Sequence, residues 1–398
     1  MLFYESIVVA VISYFILRGL SKSYTRFRTT LTIGAATLVV YTVWAIARYA
    51  HAPLRPLVVA LAGTWCFCAL LIVAVGVPWL LARGLLRITR RSVIGRLVPQ
   101  RAPEPDVRVQ TRRDFLATVA VPAVSLSLGG VCSIYGGHKL WVARRTLHVR
   151  GWPKALDGLR IGQITDTHVG DFISPAWVAN AIAILNDSGV HLQVMTGDLL
   201  DDLYYVESSF RALDSCRAPL GMLCVLGNHE KMHGRLEPML AGYRARSAMG
   251  RVRLLLDERA VLQHQGAELN VVGVDYPMHV NGSHVLPRRD RDALMRNSAQ
   301  RAFAGIDRKQ ALLCLSHHPD FFPIAQQYGA RLTLAGHTHG GQLAIGGRPL
   351  ISPYEYDLGH YTLGDSHLYV SGGTGHWLPL RYGVPMEVTI LTLRSSDA

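Results

Sequence analysis

Acidic residues are almost missing from the first 150 positions of this 398-residue chain. That stretch holds 4 Asp/Glu against 19 Lys/Arg, whereas the remainder holds 24 against 22. The formal charge of +13 therefore belongs to the N-terminal part. A nucleic-acid-binding face would sit on the folded domain, and the near-neutral remainder lacks the Lys/Arg stripe such a face needs, so no nucleic-acid partner is expected. Cysteine is scarce as well. Cys66, Cys68, Cys132, Cys216, Cys224 and Cys314 form no CxxC pair, which excludes zinc-finger spacing and a disulfide framework. The thiols read as small buried hydrophobes, with a Cys216–Cys224 bridge left open for an oxidising compartment. No internal repeat is visible.

Long apolar runs, by contrast, crowd the N-terminus: roughly Leu2–Leu17, Leu31–Ala47 and Leu57–Ala82, with a weaker one over Phe115–Ile134. A spanning helix needs about 20 apolar residues. Three transmembrane helices are expected within residues 1–82, a basic cytoplasmic linker over 83–114, and a fourth spanning or anchor segment over 115–135. Arginine is dense in the first and third loops and sparse in the second, which places the linker in the cytoplasm. If the fourth run spans, everything after it faces out. Its entry, Thr111-Arg112-Arg113-Asp114-Phe115-Leu116, resembles an internal twin-arginine export signal. The expected location is the plasma (inner) membrane, multi-pass, with the C-terminal domain extracytoplasmic.

From about residue 145 to 398 the rhythm is α/β. Short β-rich runs cover Leu159–Thr165, Leu192–Thr196, Gly221–Leu226, Val252–Leu256, Leu269–Val274, Ala311–Ser316, Arg331–Ala335, His367–Val370 and Glu387–Leu393. A helix is predicted over Ser174–Ser188, with Ser174 as N-cap and Pro175 in the first turn. Five strands run directly into chemically capable side chains. These are Asp166 and His168; Asp198; Asn228, His229 and Glu230; His317 and His318; and His337 and His339. Open α/β sheets gather their sites at the carboxyl ends of strands. Singly, an Asp-x-His or a Gly-Asp is ordinary. All five in this order, each at a strand end, are not.

The ordered set resembles the calcineurin-like metallophosphoesterase superfamily over about Leu159 to Leu393. Within it the bacterial YkuE/YaeI-type branch is nearest in pattern, with Tyr369 to Gly375, Leu380-Arg381 and Val384 to Val388 resembling its closing segment. The resemblance implies a four-layer αββα sandwich. It also implies two divalent cations: one held by Asp166, His168 and His339, the other by Asn228, His317 and His337, with Asp198 bridging. An N/O donor set fits Mn, Fe or Zn. His229 would be the general acid and Asp201, with Asp202 beside it, the carboxylate that orients it. His318 reads as a pocket residue. His360 and His367 read as satisfied loop histidines, and His376 as a loop histidine in a Gly-rich turn able to line the pocket. Two cations about 3.5–4 Å apart lower the pKa of a bridging water and bind the phosphate oxygens. Attack by that hydroxide, with His229 protonating the leaving oxygen, would hydrolyse a phosphodiester, pyrophosphate or monoester. Beside a bilayer the substrate would be a lipid- or envelope-derived phosphoester. The alternative is a non-catalytic metal-binding sensor on a membrane bundle.

Overall fold

The computed structural model describes residues 139–280, 282, 286–350, 354–377 and 381–396. The expected spanning runs, the basic linker and the anchor segment lie outside the described residues, as do Cys66, Cys68, Cys132 and Leu380. Among the described residues no helix is long and apolar enough to cross a membrane.

In chain order the first part runs β1 (Leu140–Arg150), β2 (Arg160–Ile164), α1 (Pro175–Asp187), β3 (Leu192–Thr196), α2 (Val206–Leu213), β4 (Met222–Val225), α3 (Asn228–Lys231), α4 (Leu236–Ser247) and β5 (Val252–Leu254). The second continues with β6 (Glu258–His264), β7 (Ala267–Gly273), α5 (Arg288–Ala302), β8 (Leu312–Leu315), α6 (Phe322–Gln327) and β9 (Leu332–Ala335). It ends with the short pair β10 (Ala344–Ile345) and β11 (Arg348–Pro349), then β12 (Gly359–Leu363), β13 (Ser366–Val370) and β14 (Met386–Ser396).

Two six-stranded mixed sheets result, in the orders β1-β14-β2-β3-β4-β5 and β12-β13-β9-β8-β7-β6. Strands β3, β4, β8 and β9 are buried at every position, so they read as short continuous apolar runs rather than as alternating ones. Between the sheets lie Ile161, Val194, Leu223 and Val225 from the first, and Val271, Leu313, Leu315 and Leu334 from the second. On the outer face of the first sheet, Ile182, Leu185, Phe210 and Tyr243 pack on Ile164, Met195 and Cys224. Met295, Ala299 and Phe303 do the same for Val272 and Cys314 of the second. Helix α1 shows why such a segment becomes a helix. Val178, Ala181, Ile182 and Leu185 bury one face at helical spacing, and Pro175 takes the first turn, where its missing N–H costs nothing. Ser174 is its N-cap residue, although its side chain makes no capping hydrogen bond.

Two features set up the site. Gln163 of β2 donates from Nε2 to Thr196 Oγ1 and to the Ala335 carbonyl of the second sheet, each at 2.9 Å. This buried crosslink fixes the strand ends of both sheets against each other. Strand β1, beginning at Leu140, ahead of the boundary expected near residue 145, pairs with β14 along its whole length. Cys216, Cys224 and Cys314 are buried free thiols, so no Cys216–Cys224 bridge forms.

Candidate metal centre

The C-terminal ends of β2, β3, β4, β8 and β9 deliver the candidate residues to one place. Nine non-glycine residues among those described have positive φ, and five of them are Asp166 (52°), His168 (49°), Asp198 (55°), His337 (75°) and His339 (50°). Such conformations cost roughly 1–3 kcal/mol each and persist where the surroundings over-determine them. Glycines make the crowding possible. A Cβ on Gly227 would collide with Asp198 Oδ1, and one on Gly336 with Asp166 Oδ2.

Hydrogen bonds then fix each ring. His317 donates from Nδ1 to the Thr196 carbonyl at 2.7 Å, which turns Nε2 inward, 3.2 Å from Asp198 Oδ2. His168 donates from Nδ1 to Asp201 Oδ1 at 3.2 Å, and its Nε2 faces His339 Nε2 at 2.9 Å. His337 Nδ1 faces His317 Nε2 at 3.2 Å, while the Tyr276 and Tyr354 hydroxyls hold its Nε2 at 3.2 and 2.9 Å. The His337 backbone N–H donates to both oxygens of Asp166 at 3.0 Å. The His229 backbone N–H donates to Asp198 Oδ1 at 2.9 Å.

Among the described residues, three groups bring ligand atoms within 4.8 Å of one another: Asp166 with His168 and His339, Asp198 with His317 and His337, and His168 with Asp201 and His229. The donor set fits resident cations on a further ground. Asn228 Oδ1 is buried and has no hydrogen-bond partner, as expected of an oxygen that a metal would satisfy. Second-sphere partners such as the Thr196 carbonyl and Asp201 orient imidazoles the way metal sites require.

His229 stands slightly apart. Its Nδ1 donates to Asp201 Oδ1 at 2.5 Å, and its Nε2 points inward, 4.0 Å from Asp198 Oδ2. Burial disfavours the imidazolium, but the Asp201 and Asp198 carboxylates outweigh it and push the pKa up to about 9. Desolvation likewise opposes charge on Asp198 and Asp201, yet the surrounding histidines hold both below the usual carboxylate range. Asp202, in contrast, turns away and caps a short turn by accepting from the Tyr204 N–H at 3.0 Å. His318 accepts from the Asp320 N–H and packs beside Tyr276, His337 and Tyr354. His376 is buried against Phe172. His360 and His367 stack on each other across β12 and β13.

Four residues with no role in the sequence reading complete the site. The Glu230 carboxylate accepts from the backbone N–H groups of Gly227, Asp198 and Leu199 at 2.7, 3.0 and 2.6 Å and so ties two ligand loops together. Its position directly after Asn228 and His229 was the available signal. Arg381 is buried, donates to the carbonyls of Gly372, Val384 and Gly375, and sets Nη2 2.9 Å from His339 Nδ1. An arginine inside an apolar closing segment was its signal. Tyr276 and Tyr354 had none, because they reach His337 through loops distant in sequence.

Residues 159–341 match the calcineurin-like phosphoesterase family. The chain carries a calcineurin-like metallophosphoesterase domain and is a hydrolase of the phosphoesterase class. Among similar proteins is the uncharacterized metallophosphoesterase YkuE of Bacillus subtilis, 28% identical over 305 residues, covering 73% of this chain and 100% of that protein. The phosphodiesterase YaeI of Escherichia coli is 26% identical over 241 residues, 58% of this chain and 80% of its own length. The transmembrane protein with metallophosphoesterase domain of Danio rerio is 24% identical over 267 residues, 61% of this chain and 55% of its own length.

Proposed function

We propose that the domain hydrolyses phosphoester bonds of a membrane-proximal substrate with two divalent cations. Asp166, His168 and His339 would hold one, Asn228, His317 and His337 the other, and Asp198 would lie between. The observation that carries this reading is the convergence of Asp166, His168, Asp198, His317, His337 and His339 from strand ends, with inward-turned imidazole nitrogens and, after β4, an unpartnered Asn228 Oδ1. When bound, the cations neutralise phosphate charge and lower the pKa of water. Mn, Fe and Zn suit the nitrogen and oxygen donors.

The chain's own residues supply the rest. Asp201 accepts from His229 Nδ1, so the ring presents Nε2–H to the space beside Asp198. A proton delivered from Nε2 to the departing alkoxide leaves an alcohol rather than an anion. Asp201 is thus a positioning group shared by His229 and His168. The test is metal content together with hydrolysis of bis(4-nitrophenyl) phosphate by the full-length protein. Asp198→Asn is expected to lose metal and turnover, whereas His229→Ala keeps metal and loses rate. A metal-replete His229→Ala protein with full turnover would remove the general-acid role.

The membrane-proximal part of the proposal rests on the apolar N-terminal runs, and is supported by the Danio rerio relative being named a transmembrane protein. The arginine distribution favours an extracytoplasmic domain and a lipid- or envelope-derived phosphoester. A topology reporter fused at the C-terminus is expected to be active outside the cytoplasm. Activity only inside would reverse the orientation.

A further inference from the structure

The short pair β10–β11 grows out of the metal-site loop. Gln342, three residues after His339, accepts from the Tyr382 N–H at 2.9 Å, and the Ala344 N–H donates to the Tyr382 carbonyl at 2.7 Å. Leu343 bridges Tyr382, Ile345 pairs with Arg348, and the Leu350 N–H donates to the Leu343 carbonyl at 2.8 Å. Paired residues share a face, and alternate residues along a strand do too. One face of this ribbon therefore carries Leu343, Ile345, Arg348, Leu350 and Tyr382. The other carries Gln342 and Ala344, both buried against the domain. The first face is open: Ile345 is 63% exposed, Leu350 55% and Tyr382 54%. Gly346 and Gly347, both at positive φ, close the hairpin tip.

The topology brings a second feature to the same end of the molecule. Strand β14 is antiparallel to β2, so its start at Met386 lies at the site end of the sheet. Strand β1 is parallel to β14, with Leu140 opposite Met386 and Trp141 opposite Glu387. The described chain thus begins two strands over from the strand that delivers Asp166, about 10 Å sideways at ordinary strand spacing. Trp141 is 52% exposed, with Lys139 Nζ 4.8 Å from its ring centroid, and Arg144 and Arg145 are exposed on the same strand. In sequence the apolar run ending at Ile134 precedes Lys139 with four residues between.

We propose that the ribbon face of Ile345, Leu350 and Tyr382 docks into the interface of a lipid bilayer, with Arg348 on its anionic headgroups, and presents the metal-site mouth to that surface. The proposal rests on the reading of the domain as a membrane-proximal phosphoesterase and adds the surface that contacts the membrane. Aliphatic, aromatic and arginine side chains on one exposed face are what the headgroup boundary accepts. In sequence, the apolar run expected to anchor the chain ends with four residues between it and Lys139, which favours a bilayer over a soluble partner as the occupant.

The test uses the full-length protein in vesicles of phosphatidylcholine and phosphatidylglycerol, with or without brominated phosphatidylcholine. An indole is added at the ribbon by Ile345→Trp or Leu350→Trp, or at the opposite end of the sheet by Met249→Trp, a 70% exposed turn residue. Emission of the seven native tryptophans is subtracted using the unsubstituted protein. Bromolipid is expected to quench the added emission at 345 and 350 several-fold more than at 249. Equal quenching would overturn the proposal. Shielding of the ribbon indole from aqueous acrylamide that grows with protein concentration would also overturn it and assign the face to a second copy. Hydrolysis of bis(4-nitrophenyl) phosphate is read on the same samples. Its absence would defeat the phosphoesterase reading, whereas its presence with equal quenching would defeat the docking alone.

Discussion

The two halves of the proposed metal centre, which would share Asp198, are walled differently. The half made by Asp166, His168 and His339 is bracketed by full charges: Asp201 on His168 and the buried Arg381 on His339. The half made by His317, His337 and Asn228 is bracketed by neutral dipoles: the Thr196 carbonyl on His317 and two phenols on His337. In a poorly hydrated site, a charge and a dipole at the same distance differ several-fold in effect. The difference teaches that the halves need not bind cations equally. Asp201 is also the acceptor for His229, so the charged half is the one that would be wired to the proposed proton transfer.

Substitutions can break or sharpen this contrast. Asp198→Asn acts on both halves, and the expected outcome is loss of both cations and of activity by about 10³-fold or more, read by elemental analysis and by turnover of bis(4-nitrophenyl) phosphate. His229→Ala should keep two cations per chain and slow turnover by about 10²–10⁴-fold. Equal losses of metal in these two variants would erase the distinction between ligand and proton donor. Arg381→Met and Tyr276→Phe probe the walls one half at a time. Outer partners of ligands are worth about 10–100-fold in metal affinity or activity, so each variant is expected to shift the affinity for one cation in a titration and leave the other unchanged. Both cations weakening together would show that the halves act as one unit. Gly242→Ala is the smallest perturbation of the centre. A Cβ there would collide with the Phe210 ring between α4 and α2, lowering stability by about 1–3 kcal/mol in a melting experiment while metal stoichiometry stays fixed.

The site was more legible in the sequence than the sheets that hold it. Strands β3, β4, β8 and β9 announce themselves as apolar runs ending in Asp, Asn or His, because both of their faces are covered and their ends are where function collects. Edge strands send no such signal. In β1 only Ala143, Leu147 and Val149 are buried, and its stability comes from β14, which starts some 245 residues later, at Met386. Strand β6 is polar on one face and was equally silent. Ligand spacing was readable because short turns present the side chains. The phenol walls, Tyr276 and Tyr354, were not, because tertiary contact alone brings them to His337, whereas Arg381 signalled itself only as an arginine in an apolar segment.

The most direct test of the central claim is anomalous diffraction from crystals of the protein grown with manganese. Two peaks are predicted, one among Asp166, His168 and His339 and one among Asn228, His317 and His337, with Asp198 between them. No peak in that space, or a single peak that leaves Asn228 and His317 without a metal, would contradict the account.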